Sequence, residues 1–200
     1  MKKWKFKKPQ LQPLDINNLD PRLLLINVYF TQLLCLLLAI ILILFQRDNP
    51  LLGLFLWTNG WQPVYWGVGL AVAVIAADLL LTRWVPEEMS DDGGINEKLF
   101  RTLPLWHIIA LCFVVSVCEE LLFRGALQHW FGPYWTSILF ALIHVRYLRH
   151  WLMTGLVFSI SYALGWIYIQ AGTLWAPIIA HFVIDLVMGC IIRYQKKDSR

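Results

Sequence analysis

Six apolar stretches alternate with short polar breaks along the chain: 24–46, 63–84, 103–127, 134–149, 152–170 and 174–193. A helix that crosses a bilayer needs about 20 mostly apolar residues. The pattern therefore predicts an all-α, polytopic membrane bundle of about six transmembrane helices in one domain. The apolar run Leu51 to Trp57 is too short to cross and is expected to lie at the interface or to re-enter. Tryptophans mark the ends of the stretches, at Trp57, Trp61, Trp84, Trp106, Trp130, Trp135, Trp151 and Trp175, as an interfacial belt requires. Trp166 lies deeper and is expected to pack between helices. Gly132-Pro133 and Gly172 predict tight turns. The main polar break, Pro86 to Arg101, carries EEMSDDGGINEK and reads as a mobile surface linker. This divides the chain into a tail (1–23), two spans plus a polar loop (24–102), a core (103–193) and a second tail (194–200). No internal repeat is visible.

Composition sharpens this picture. Hydrophobic residues make up 58% of the 200 and charged residues only 15%, where a soluble domain carries about 25%. The net charge of +4 is concentrated in the tails, at Lys2, Lys3, Lys5, Lys7 and Lys8, then at Arg193, Lys196, Lys197 and Arg200. Basic segments beside spans favour the cytoplasm and anionic lipid. The charges carry no base-reading aromatic set, so the lipid bilayer is the expected partner and nucleic acid is not. No small-residue cleavage site follows the first span, which reads as a retained helix rather than a signal peptide. A multi-pass cell-membrane protein with both termini cytoplasmic is expected. Cys35, Cys112, Cys118 and Cys190 all sit in apolar runs without a CxxC pair, which suggests buried apolar packing rather than a disulfide or zinc framework.

Against this background, ionisable residues inside apolar helices stand out. Glu119, Glu120 and Arg124 lie in LCFVVSVCEELLFRG, His144 in SILFALIHV, and His181 and Asp185 in APIIAHFVIDLV. A charge in hydrocarbon costs about 2.5 kcal/mol or more, so such groups need a compensating role. Glu120 and Arg124 are spaced i,i+4 and are expected to pair on one helix face. Glu119 points about 100° away and lacks an in-helix partner, the situation of a general base. Glu119 and His144 each lie about ten residues from the turn that connects their helices, so antiparallel neighbours would place them at similar depth. Asp185, and less closely His181, lie at comparable depth measured from Gly172. His181 and Asp185 are again i,i+4, a spacing that orients an imidazole and suits oxyanion stabilisation. Pro177 is expected in or near the first turn of that helix. Asp78, near Arg83 and a span end, is expected to pair locally. His107, His129 and His150 fall near span ends and read as structural.

These residues carry a resemblance to a known family. Glu119-Glu120-Leu121-Leu122-Phe123-Arg124 matches EExxxR, Phe140 to His144 matches FxxxH, and His181 to Asp185 matches HxxxN/D. In this order, each inside an apolar helix, they make the chain resemble the CAAX-prenyl-protease and bacteriocin-processing (CPBP, ABI) family of glutamic-type intramembrane proteases, over roughly 103–193. The resemblance implies peptide-bond hydrolysis in an all-helical membrane core, on a membrane-associated protein or peptide. It implies that Glu119, helped by His144, activates water, that His181 and Asp185 hold the carbonyl and its oxyanion, and that Glu120, Arg124 and Phe140 support the site. Asp185 stands where the prenyl-protein-processing members carry Asn. An amide donates a hydrogen bond and an ionised carboxylate cannot, so Asp185 would stay protonated or act through His181. Two histidines with carboxylates are also a zinc donor set, but no HExxH helix is present. A catalytic zinc is disfavoured and no cofactor is expected.

Two other classes use the same residues. One is a non-catalytic membrane scaffold or bacteriocin-immunity protein, which would not need an unpaired Glu119. The other is a small proton-coupled transporter, whose sequence cue, internal pseudo-symmetry, is missing. Basic tails and six spans place the Glu119 cavity nearer the outer face, whereas prenyl-processing relatives act on cytosolic substrates.

Overall fold

A computed structural model describes residues 20–47, 51–57, 60–84, 94–145 and 147–195, with only the backbone of Arg149. The basic tail up to Leu19, residues 85–93 of the polar break, Arg146 and residues 196–200 lie outside the described residues.

The first span, α1 (Pro21–Leu44), begins three residues earlier than its apolar pattern. Asp20 caps it by accepting from the Arg22 backbone N–H at 2.9 Å. Pro21 follows at the first helical position, where its missing N–H costs nothing. A 3-10 turn (Gly53–Phe55) leads to α2 (Gln62–Leu81). Next come α3 (Ile95–Thr102), α4 (Leu105–Glu120), a π-helical stretch (Leu121–Leu127) and α5 (Gln128–Ile143). A 3-10 turn (Tyr147–Arg149), α6 (Trp151–Ala171) and α7 (Trp175–Tyr194) complete the fold. Among the described residues there is no strand.

Among the described residues, five helical stretches are long and apolar enough to cross a bilayer, one of them the 39-residue run Leu105–Ile143. That run is not straight. Phe123 and Phe140, 17 residues apart, would be about 25 Å apart along one α-helix, yet their ring centroids lie 4.7 Å apart. The chain doubles back at Gly132, whose φ of 70° and ψ of 171° belong to a region that only glycine enters cheaply. The expected turn at Gly132-Pro133 is therefore present, and six legs result. The outer surface of α1 exposes Ile26, Phe30, Leu33, Leu37 and Ile41, an apolar wall that only lipid covers. The chain is a multi-pass membrane protein.

Two expectations need correction. The fourth apolar stretch was expected to run to residue 149, but its helix ends at Ile143, leaving a leg of only 11 residues after Gly132. The reason is local. In a continuing helix the Phe140 carbonyl would accept the His144 backbone N–H. Here that N–H bonds Ala141 at 3.2 Å, and the His144 ring takes the Phe140 carbonyl instead. Second, part of the supposed linker is helical. Leu99 of α3 is buried with Leu103 and Ile108, and Glu97 and Arg101 pair across one turn at 2.9 Å. Trp166 packs edge-to-face on Trp66 of α2 at 5.1 Å, the contact between helices that was expected, with 45% of its surface still exposed.

The run Leu51–Trp57 does not cross. Its turn tucks the buried Leu54 beneath the α6–α7 connection. Leu54 O accepts from the Leu174 N–H at 2.8 Å and from Thr173 Oγ1 at 3.2 Å, and Phe55 O accepts from the Trp175 indole at 3.0 Å. Leu54 also fills the space beside Gly125, where an added Cβ would meet its side chain at 3.1 Å.

Candidate active site

The π-helical stretch after α4 sets the geometry. Inserting a residue into a helix disturbs the regular carbonyl ladder. Buried Gln46, just beyond α1, donates from Nε2 to Gly125 O and to Ala126 O, each at 3.1 Å. Arg124 lies inside this widened turn and is 1% exposed.

Glu120 is fully buried, and its Oε1 receives two partners. Arg124 Nη1 lies 2.9 Å away and His181 Nδ1 of α7 lies 2.8 Å away. Arg124 Nη2 reaches across to α6, to Ser161 O at 2.8 Å and Ser161 Oγ at 2.9 Å. The i,i+4 pair seen in the sequence thus becomes a buried node joining α4, the π stretch, α6 and α7. Losing either charge would leave the other unpaired in a low-dielectric setting, which is far more costly than the pair itself is worth.

Glu119 points elsewhere. It is half-buried and accepts from Gln32 Nε2 of α1 at 3.1 Å. Among the described residues no cation pairs with it within 4 Å. The carboxylates of two adjacent residues are therefore held by different neighbours, Glu119 by α1 and Glu120 by α6-bound Arg124 and α7, as their separation of about 100° on the helix allows.

His144 terminates α5. Its Nδ1 lies 2.7 Å from Phe140 O. A carbonyl only accepts, so Nδ1 carries the hydrogen, and in the neutral ring Nε2 keeps its lone pair. The ring stacks on Phe140 at 4.5 Å and on Tyr147 at 6.2 Å. Phe140 also meets Phe123, the Arg124 guanidinium at 5.2 Å and the His181 ring at 6.5 Å, so it fixes the spacing of three of the motif side chains.

His181 is engaged at both nitrogens, by Glu120 at Nδ1 and by Asp185 Oδ2 at Nε2, the latter at 3.4 Å. The second contact is longer than an ordinary hydrogen bond and is the one that can yield. A neutral imidazole has a single N–H, so two carboxylate partners require a second proton on the ring or on a carboxyl. Pro177 is the third residue of α7, inside its first turn.

Register places these groups together in depth. Arg124 and Gln128 contact Ser161 and Gly165 at 2.8 to 2.9 Å, so α4 and the π stretch run parallel to α6. Pro133 packs at the same level, since a Cβ on Gly165 would lie 3.2 Å from its side chain. Counting back from those contacts puts Glu119 and His144 within about one helical turn in height. No hydrogen bond joins Glu119 to His144 among the described residues. Nor do three His, Cys, Asp or Glu side chains gather there as metal ligands.

Sequence reasoning did not find Gln32, Gln46, Ser161 or the Glu120–His181 bond. The signal was present as neutral polar residues inside apolar runs, which were passed over in favour of ionisable ones.

Comparison with known proteins adds three findings. Residues 101–187 match the family described as Type II CAAX prenyl endopeptidase Rce1-like. A Bacillus subtilis (strain 168) protein, "Uncharacterized protein YpbD", is 44% identical over 132 residues, spanning 66% of this chain and 70% of that one. No solved structure matches significantly.

Proposed function

Because the chain belongs to the Rce1-like family of CAAX-prenyl-protease and bacteriocin-processing proteins, we propose that it is an intramembrane endopeptidase that uses Glu119 and His144 to activate water. The observation that carries this reading is the contrast between adjacent carboxylates. Glu120 is neutralised by Arg124 and bonded to His181, whereas among the described residues Glu119 has only the amide of Gln32. An acceptor of that kind, at a similar depth to an imidazole with a free Nε2 lone pair, is equipped to remove a proton from water.

Water loses a proton to the Glu119 and His144 pair while its oxygen attacks the scissile carbonyl carbon. The carbonyl oxygen gains negative charge, and the His181 Nε2–H turns from its long contact with Asp185 toward it. Glu120 holds the opposite nitrogen, so the ring stays oriented while its donor is transferred. The tetrahedral carbon expels the amine, which takes back the proton. One water is consumed, and a carboxyl and an amine terminus are formed.

The substrate class is a membrane-associated protein or peptide approaching from the cytoplasm. Arg22, Arg83, Lys98, Arg101 and Arg193 lie at one end of the bundle, and Arg47 lies at the other. The basic end is the cytoplasmic one by the positive-inside bias, with both termini there, in the cell membrane. His144 closes the short α5 leg, and the connection after it leads to this end. On this reading the site is reached from the basic side, a question that span counting alone leaves open.

The test compares wild type and Glu119→Gln, expressed at matched levels in cells lacking the gene. Membrane-protein termini are then compared by mass spectrometry. New termini that appear only with wild type are expected, and identical termini in the two strains would reject the reading.

A further inference from the structure

Gln32 lies in the middle of α1, outside the residues 101–187 that carry the family match. It is 4% exposed, among side chains that otherwise serve apolar packing. Its Nε2 donates to Glu119 Oε1 at 3.1 Å, and its own Oε1 is buried without a partner. A buried amide that satisfies only one of its ends is a net liability for folding, so its retention here calls for a use. One end aims at the carboxylate of the proposed base, and the other has no donor among the described residues.

We propose that Gln32 is the positioning residue of Glu119. The proposal rests on the protease reading above. By occupying Oε1, the amide fixes the rotation of the carboxylate about its last bond and leaves Oε2 as the oxygen that meets water. Its unpartnered Oε1 accepts a hydrogen bond from that water or from a substrate N–H. The first span thus completes a site whose motifs all lie in the second half of the chain. It also gives α1 a task beyond anchoring, since Gln46 at the end of the same span bonds the carbonyls of the π stretch.

The test uses the full-length protein and Gln32→Met, which keeps the shape of the side chain but removes the donor. Thermal melting first establishes that the variant is folded. The infrared carboxyl band of Glu119 is identified by subtracting the spectrum of Glu119→Gln. The proposal expects that band to move in Gln32→Met, and release of new termini from membranes of cells lacking the gene to slow about 10- to 100-fold, the penalty of a misplaced reacting group. An unmoved band in the folded variant, or a moved band with undiminished cleavage, would overturn it. Should Gln32→Met fail to fold, the side-chain amide proton resonance of Gln32 serves instead. It is expected to move upfield in Glu119→Gln, which removes the charged acceptor, and an unchanged resonance would overturn the contact. If the band moves but no Glu119-dependent cleavage exists, the contact stands while the protease reading and the positioning role both fall.

Discussion

Glu120 Oε1 lies 2.8 Å from His181 Nδ1, across the interface between α4 and α7. The same oxygen takes Arg124 at 2.9 Å, so one buried atom ties two of the three motifs together. Its neighbour Glu119 points about 100° away on the helix and accepts from Gln32 instead.

Arg124→Met should be severely destabilising. It strips the charge partner from Glu120, which has no access to solvent, and breaking such a pair costs about 3–5 kcal/mol. Thermal unfolding in detergent checks the effect. The double variant Glu120→Leu with Arg124→Met should recover most of the lost stability. It should remain inactive, because His181 loses the partner that orients its ring.

Asp185→Asn should keep cleavage, at a rate no lower than wild type. An amide oxygen can still accept from His181 Nε2, and the amide N–H adds a donor toward the developing oxyanion. Asp185→Leu should be slower at equal expression and equal melting temperature. The two variants are separated by counting termini released per unit time from the same membranes.

Gly132→Ala should weaken the fold without touching any site residue. A residue with a Cβ at φ 70°, ψ 171° is strained by about 1–3 kcal/mol. The two legs that bring Phe123 against Phe140 depend on this reversal. A lowered melting temperature is expected, with disordering of α5 visible as faster amide exchange at His144.

Much of this arrangement was legible in the sequence. The i,i+4 spacings announced the Glu120–Arg124 and His181–Asp185 contacts, and residue counts from Gly132 and Gly172 placed the groups at one depth. Apolar length cannot tell where a helix stops inside a membrane, however. The stretch continuing past Ile143 looked helical, and only the ring of His144, capturing the Phe140 carbonyl, shows why the helix ends there. The node around Glu120 was also hidden, because His181 on α7 pairs with a residue 61 positions away. Gln32 and Gln46 were overlooked because a neutral amide leaves no trace in a search for charge, although a lone glutamine in an apolar run is itself a costly choice.

The most direct test places purified wild-type protein and Glu119→Gln in lipid vesicles and adds each to membranes from cells lacking the gene. Above the background of vesicles carrying no added protein, new protein termini are expected from the wild type. A rate lower by about 10²- to 10⁴-fold, the usual worth of a general base, is expected from Glu119→Gln at unchanged melting temperature. Equal release of termini by the two proteins would contradict the account, as would the absence of any new terminus with folded wild type.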